Sequence, residues 1–298
     1  MKWVIFNCFV LIMLALDLGL FHKKSKTVSL KNALAWTSVW VVLALVYNVG
    51  IYYYVGPQKA LEFFTGYLLE KSLSVDNIFV FVMIFSYFKV PKHLQHGVLM
   101  WGIIGALVMR AILIFAGISL VQQYEWLFYL FGAFLIFTGA KMLIIRENDT
   151  LDNNTILNFI SSHINITKNY HGEKFIVKKD GKRFVTPLFV ALVMVEFSDL
   201  IFAFDSIPAI FAVTLDPFIV YTANVFAILG LRSLYFVMAD MVNRFQYLKY
   251  GISGILIFIG FKLLIMHYYK IPTLVSLTVI AACIIVSAVI SIMHKEGK

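Results

Sequence analysis

The sequence predicts an all-α polytopic membrane protein with about nine transmembrane helices and two inverted three-helix repeats. Three observations support this prediction: the composition, the number of long apolar runs, and a similarity between the two halves of the chain. Of the 298 residues, 61% are hydrophobic and only 14% are charged, whereas soluble domains average about 45–50% apolar and about 25% charged residues. A soluble core of this length cannot bury so much apolar surface, so the expected surroundings are a lipid bilayer.

Apolar runs of about 20 residues, the length that crosses a bilayer, occur nine times. They lie at 3–21, 33–55, 61–87, 97–121, 125–145, 187–212, 217–241, 246–268 and 272–293. The first run is interpreted as a retained helix and not a signal peptide, because it contains Asp17 and lacks a clear small-residue cleavage site.

These runs divide the chain into five predicted parts. Two N-terminal helices occupy 1–60, and a last helix with a cytoplasmic tail occupies 269–298. Between them lie a first three-helix repeat in 61–145, a polar loop in 146–186 and a second three-helix repeat in 187–268.

Lysine and arginine set the predicted orientation. With the N-terminus outside, the inner loops carry 17 Lys and Arg and the outer loops carry three. Cytoplasmic loops of membrane proteins are enriched in these residues, so we expect the C-terminus and the loop 146–186 to be cytoplasmic. The same bias accounts for the net charge of +9, and nucleic acid is therefore not an expected partner.

Three segments of the first half match three segments of the second half in the same order. The matches are WGIIGALVMRAILIFAG (101–117) with ANVFAILGLRSLYFVMAD (223–240), GAFLIFTGAKMLI (132–144) with SGILIFIGFKLLI (253–265), and EKSLSVDNI (70–78) with DLIFAFDSI (199–207). They set Arg110 on Arg232 and Lys141 on Lys262, which indicates an internal duplication. Because each copy has three spans, the second copy enters the membrane from the opposite side, as in many secondary transporters that bind their substrate where the repeats meet.

Five carboxylates lie at membrane depth in the first helices of the repeats: Glu70, Asp76, Glu196, Asp199 and Asp205. Each charge at the bilayer centre costs roughly 2.5–3.5 kcal/mol, so these groups must be protonated, paired or metal-bound. Pairing with Arg110, Arg232 and Lys71 is the purely structural alternative, and it can neutralise at most three of the five. We expect Arg110 and Arg232 to balance the surplus negative charge when the site is empty.

Helix geometry alone does not bring these acids together. On a straight helix Glu196 and Asp199 share a face, whereas Asp205 lies about 120° around from Asp199. Pro208 removes the hydrogen bond to the carbonyl of Phe204 and is predicted to kink the helix there. Such a break would let the acids converge and would free carbonyl oxygens to line a cavity.

The side chains beside these acids offer only oxygen ligands. Asn77 follows Asp76 and Ser206 follows Asp205, whereas the seven histidines lie in loops or near span ends. Oxygen ligands suit hard divalent cations such as Mn²⁺, Mg²⁺ or Ca²⁺ and argue against Zn²⁺ and Cu⁺. Ligand chemistry does not separate the first three ions. The cation is expected as cargo, with no tightly bound cofactor and no enzymatic activity.

Three stretches carry a resemblance to a known family: LLEKSLSVDNIFVF (68–81), VEFSDLIFAFDSIPAIFAVT (195–214) and ALDLGLFHKK (15–24). They resemble the signature segments of the TerC family of bacterial integral membrane proteins, close to its Alx-type members. The resemblance implies a nine-helix fold of the lysine-exporter-related transporter type in the bacterial inner membrane. It also implies export of Mn²⁺ from the cytoplasm.

The resemblance also implies a set of site residues. The metal-site acids of the family fall on the five membrane carboxylates, with an amide and a hydroxyl beside them: Glu70, Asp76, Asn77, Glu196, Asp199, Asp205 and Ser206. Asp17 matches the N-terminal motif, either as a ligand on the way to the site or as a helix-end group.

Two other function classes stay open. Family names speak of a membrane-bound redox modulator and of tellurium resistance, which would be a stress function without transport. A redox protein needs a cofactor, yet the spans contain no mid-membrane histidine pair for haem and no vicinal thiols. A non-transporting scaffold would use its carboxylates only to organise helices, and metal-dependent stabilisation would argue against it. The oligomeric state and the coupling ion do not follow from the sequence.

Overall fold

Long apolar helices form along most of the chain in the structure, which is a computed structural model. It describes residues 2–21, 30–144, 166–167, 169–179, 182–241, 247–266 and 268–293. The helices of the first half are α1 Lys2–Phe21, α2 Leu30–Tyr54, α3 Pro57–Tyr87, α4 Lys92–Gln123 and α5 Leu127–Ile144. A hairpin of β1 Ile176–Lys179 and β2 Lys182–Val185 is followed by α6 Pro187–Phe211, α7 Pro217–Ile228, α8 Leu231–Met241, α9 Leu248–Ile265 and α10 Thr273–Met293.

Four of these helices are individually long and apolar enough to cross a membrane, namely α2, α4, α6 and α10. The consecutive helices α7 and α8 qualify together as a fifth, broken span that is bent by 41°. The described part of the chain therefore confirms an all-α membrane protein. The full count of nine spans and the inverted repeat remain predictions.

The predicted helix 217–241 is interrupted between α7 and α8. Gly230 at the break has a φ of +86°, a backbone conformation that residues with a Cβ rarely adopt. A Cβ at this position would also lie 2.7 Å from a ring carbon of Trp40 on α2. The ammonium of Lys71 donates to the carbonyl oxygen of Ala227 at 3.3 Å, and a cation is favourable at this C-terminal end of α7.

Pro208 does not interrupt the helix, and the kink predicted there stays a prediction. The helix α6 continues through Pro208 and ends at Phe211. Pro208 has no amide hydrogen to donate to the carbonyl oxygen of Phe204, and the helix tolerates the loss of this one hydrogen bond, as proline-containing membrane helices commonly do. The interruption at membrane depth therefore lies in the next span, at Gly230, and not in the acidic helix.

Helices α5 and α9 approach each other at glycine positions in an antiparallel arrangement. A Cβ on Gly132 would lie 2.8 Å from the carbonyl oxygen of Gly260, and a Cβ on Gly139 would lie 2.9 Å from that of Ser253. The Ser253 hydroxyl donates to the Gly139 carbonyl oxygen at 2.5 Å. Small residues thus let the two backbones come into direct contact, as is common between membrane helices.

Replacing Gly260 by alanine is expected to destabilise the protein. The new methyl group would lie 2.6 Å from the carbonyl oxygen of Gly132, so the helices must separate, and overpacking of this kind costs about 1–3 kcal/mol. The matched control is Gly97→Ala on α4, where a Cβ meets nothing within 4 Å. Thermal unfolding in detergent measures both, and equal melting temperatures for the two variants would contradict the prediction.

The described part of the polar loop 146–186 forms a small β-structure at one end of the bundle. Strands β1 and β2 pair antiparallel. The hydroxyl of Tyr170 donates to the carbonyl oxygen of Phe88 at 2.7 Å, in the turn between α3 and α4. The loop therefore packs on the end of the bundle where α3 ends and where α4 and α6 begin, and we call this the hairpin end.

Candidate functional site

A buried arginine joins the two acidic helices. Arg110, in the middle of α4, is 1% exposed. Its Nη1 lies 2.5 Å from Oε2 of Glu70 on α3, and its Nη2 and Nε lie 2.9 and 3.1 Å from the two carboxylate oxygens of Asp199 on α6. The pairing with Asp199 is the bidentate geometry that guanidinium and carboxylate groups prefer. One cation therefore serves two buried anions.

A cavity of about 380 Å³ adjoins this arginine and is enclosed by α3, α4, α5, α6 and α9. Its polar lining consists of Glu70, Asn77, Arg110, Thr138, Lys141, Asp205, Ser206 and Lys249. Met83, near the end of α3, and Lys249, at the start of α9, also line it. The cavity therefore extends from the middle of the bundle toward the hairpin end.

Four of the residues that line this cavity each carry a buried side-chain oxygen that has no hydrogen-bond partner in the structure. These oxygens are Oε1 of Glu70, Oδ1 of Asn77, Oδ1 of Asp205 and Oγ of Ser206. Buried polar atoms in proteins are nearly always paired, so four acceptors left open around one cavity call for a ligand. Carboxylate, amide and hydroxyl oxygens are the ligands of hard cations. The donor set therefore fits a hard metal ion.

The formal charge around the deep end of the cavity is negative. The carboxylates of Glu70, Asp199 and Asp205 contribute three negative charges and the guanidinium of Arg110 one positive charge. The sum of −2 matches the charge of one divalent cation. Two lysines, the exposed Lys141 and the half-buried Lys249, also line the cavity and are not included in this sum.

Glu196 belongs to a second, smaller cavity between α3, α4, α6 and α8. Asp199 and Arg232 line the same cavity. The carboxylate of Glu196 lies directly against the α-carbon of Gly105, where any side chain would collide with it. The guanidinium of Arg232 contacts the imidazole of His96 at 3.4 Å. Asp199 thus lies between this cavity and Arg110.

The predicted site residues are divided between these two places. Glu70, Asn77, Asp205 and Ser206 line the larger cavity, whereas Glu196 and Asp199 line the smaller one. In the described part of the chain, no three His, Cys, Asp or Glu residues come close enough to hold a metal ion. The side chains of Asp17 and Asp76 lie outside the described ones. The predicted five-carboxylate ligand set stays a prediction.

Two polar lining residues on α5 were not among the predicted site residues. Thr138 on α5 lies beside the carboxylate of Asp205, and Lys141 follows it on the same helix. Their spacing of three residues places them on one face of the helix. That spacing was visible in the sequence, but the sequence does not show which face of α5 meets the acids.

The opposite end of the bundle carries an ion-pair network. Lys59 lies 2.8 Å from Glu62 on α3 and 3.2 Å from Asp216 before α7. The hydroxyl of Thr214 donates to Glu62 at 2.7 Å. Burial opposes ionisation of Asp216, but Lys59 and the amide groups at the start of α7 outweigh it and lower the pKa of this carboxyl group. The network ties α3 to the connection between α6 and α7.

Comparison with known proteins places the chain in a family. The model of the integral membrane protein TerC family matches residues 55–298. The chain is 50% identical over 295 residues to an uncharacterised membrane protein of Myxococcus xanthus, covering 99% of this chain and 92% of the relative.

Two further relatives also match nearly the full length. The chain is 47% identical over 299 residues to an Escherichia coli K12 protein, covering 97% of this chain and 93% of the relative, whose name describes it as a candidate membrane-bound redox modulator, Alx. It is 45% identical to an uncharacterised membrane protein of Rickettsia felis, covering 99% of both chains. No solved structure is significantly similar to the chain. The chain belongs to the integral membrane protein TerC family.

Proposed function

We propose that this protein is a transporter that exports a hard divalent cation, with Mn²⁺ as the first candidate, from the bacterial cytoplasm. The observation that carries the proposal is the set of four unpartnered buried oxygens on residues that line one cavity. A cation that reaches these oxygens from the cavity would bind carboxylate, amide and hydroxyl groups without first having to break their hydrogen bonds.

Charge supports a divalent ion in particular. Without metal, the acids around Arg110 keep two negative charges that no described cation pairs directly. Two such charges in a protein interior cost several kcal/mol each unless they are compensated. A divalent ion at the open oxygens of Glu70 and Asp205 compensates both. Mn²⁺ is preferred over Mg²⁺ and Ca²⁺ on the resemblance of the sequence motifs and not on the ligand chemistry.

The proposal includes two inverted repeats of three spans each: α3, α4 and α5 in the first, and α6, the broken span of α7 and α8, and α9 in the second. In the sequence match Gly132 corresponds to Ser253 and Gly139 to Gly260. The contacts between α5 and α9 join Gly132 to Gly260 and Gly139 to Ser253. Exchanging the two repeats turns each of these contacts into the other, which is the pattern that a two-fold axis produces. This reciprocity supports an inverted arrangement of the repeats.

The access side of the proposed site follows from the shape of the protein. The cavity extends to the hairpin end, whereas the network of Lys59, Glu62 and Asp216 joins helices at the other end. Under the positive-inside rule the hairpin end is cytoplasmic. On this proposal the conformation described here opens the site to the cytoplasm, as expected for an exporter that is ready to load.

Single cysteines test this orientation. Cys8 and Cys283 are the only cysteines of the chain and are replaced by serine. A cysteine replacing Asn169, exposed beside the hairpin, should resist a membrane-impermeant thiol reagent in intact cells, whereas one replacing Tyr268, 89% exposed between α9 and α10, should react. Labelling of Asn169→Cys without permeabilisation would overturn the orientation.

Transport itself is tested with purified protein reconstituted in proteoliposomes. We expect uptake of Mn²⁺ into vesicles whose protein exposes its hairpin end outward, with Mg²⁺, Ca²⁺ and Zn²⁺ compared in parallel. The redox function suggested by the name of the relatives predicts instead a cofactor absorbance band that changes with dithionite. Absence of uptake of every tested cation would refute the proposal.

A further inference from the structure

The two arginines that the repeat match aligns are in different surroundings. Arg110 lies inside the continuous helix α4 and binds two carboxylates. Arg232 lies at the start of α8, just after the break at Gly230, and contacts His96. The two halves of the protein are therefore asymmetric at this pair of positions.

The carboxylates that hold Arg110 are themselves a repeat-related pair. The match of 70–78 with 199–207 sets Glu70 on Asp199, and Arg110 contacts one carboxylate from each repeat. A binding place built from two equivalent groups is unchanged when the repeats exchange roles. It therefore suits a guanidinium from either repeat, presented by α4 in one arrangement and by α8 in the other.

Arg232 lies near the carboxylate pair of Glu70 and Asp199. Arg232 and Asp199 face the same small cavity, and Asp199 also binds Arg110. Two residues before Arg232, Gly230 supplies the positive φ at which α7 and α8 bend. Rotation about this glycine would move the start of α8, and Arg232 with it, while α7 stays in place.

We propose that Arg110 and Arg232 alternate between Glu70 and Asp199 during transport. In the conformation described here Arg110 occupies this place and the larger cavity is open at the hairpin end. In the opposite conformation Arg232 replaces Arg110, and the cavity at the hairpin end closes. The inference rests on the proposed transport function and adds Arg232 as a positioning residue that selects the conformation. One guanidinium remains with the two acids in both conformations, so neither acid is left unpaired during the exchange.

Cysteine labelling in the absence of metal tests the exchange directly. Met83 lines the cavity toward the hairpin end, and Met83→Cys in the cysteine-free background reports whether that end is open. Arg110→Gln should favour the conformation held by Arg232 and slow the labelling about five-fold or more. Arg232→Gln should label at the rate of the unmodified background or faster, because only the open conformation then keeps an arginine between Glu70 and Asp199.

The matched control is Lys262→Gln, which removes another buried cation, one that donates to Ser276 at 2.8 Å and lies outside the cavity. It should label at the rate of the unmodified background. Slower labelling in both arginine variants, or unchanged labelling in Arg110→Gln with normal membrane levels, would overturn the proposal. Because no metal is present, this result does not depend on whether Mn²⁺ is the cargo.

A second measurement covers the case in which Arg110→Gln does not fold. Arg232→Gln keeps all contacts of Arg110 and should still bind Mn²⁺ from the hairpin side, detected as protection of Met83→Cys from labelling. Its Mn²⁺ transport should nevertheless fall about ten-fold or more, because the opposite conformation lacks its guanidinium. Transport at the normal rate by Arg232→Gln would refute the exchange. Absence of transport by the unmodified protein would instead refute the proposed function.

Discussion

Asp205→Asn is expected to abolish cation export while the protein still folds and inserts. The amide keeps the volume and one oxygen of the side chain but removes the charge, and membrane insertion becomes easier without it. Losing one partner of a buried charge pair weakens binding by roughly 2–5 kcal/mol, and about 1.4 kcal/mol corresponds to ten-fold, so transport should fall by about 100-fold or more. The measurement is Mn²⁺ uptake by proteoliposomes, together with Mn²⁺ tolerance of cells that lack their own exporters.

The exposed acid Glu173 in the polar loop supplies the matched control, and Glu173→Gln should transport normally. The repeat match sets Asp76 on Asp205, so Asp76→Asn is expected to give the same loss. Immunoblots of the membrane fraction separate loss of transport from loss of protein. Normal Mn²⁺ tolerance from both aspartate variants at normal membrane levels would refute the metal site.

Loss of both arginines is expected to be the most destabilising change in the protein. In Arg110→Gln each of the two carboxylates loses its guanidinium, and in the double variant Arg232 cannot replace it. A buried charge that has lost its partner costs about 3–5 kcal/mol of stability. Because Arg232 cannot replace Arg110 in the double variant, this variant should lose more stability than the sum of the single variants. Thermal unfolding in detergent without metal measures this difference.

Added Mn²⁺ should restore a large part of the lost stability, because a cation that binds only the folded protein raises its free energy of unfolding. Removing the negative charges with Glu70→Gln and Asp199→Asn should restore stability without metal. If the double arginine variant melts at the same temperature with and without Mn²⁺, charge balance is not the role of these residues. Lys262→Gln, which removes a hydroxyl-paired cation, should show no such dependence on metal.

The membrane character and the helices could be predicted from the sequence, because the length of an apolar run follows from the thickness of the bilayer and not from tertiary contacts. The span predicted at 217–241 is divided in the structure, since Gly230 accommodates a positive φ and the ring of Trp40 on another helix. Pro208 does not interrupt α6, which continues to Phe211, because a membrane helix tolerates the loss of one backbone hydrogen bond. Helix interruptions depend on neighbours, which local sequence does not specify.

The site was predictable in composition but not in arrangement. Residue types alone indicated that few cations face many acids, and the structure places Arg110 between Glu70 and Asp199. That choice depends on the rotation of α3, α4 and α6 about their axes, which one sequence does not fix. The same rotation places Glu196 at a separate cavity, against Gly105, whereas its membership of the ligand set stays a prediction.

The reciprocal glycine contacts between α5 and α9 have a consequence for the origin of the chain. On the proposed duplication, the ancestor was a single three-helix protein, and the contacts of Gly132 with Gly260 and of Gly139 with Ser253 were then the same contact made twice between two identical subunits. Such a dimer forms only if its subunits insert in opposite directions. On this proposal the ancestral gene would have encoded a protein of dual topology, with little charge bias between its loops, and the Lys-rich loop 146–186 would have fixed the orientation of the two halves after they fused.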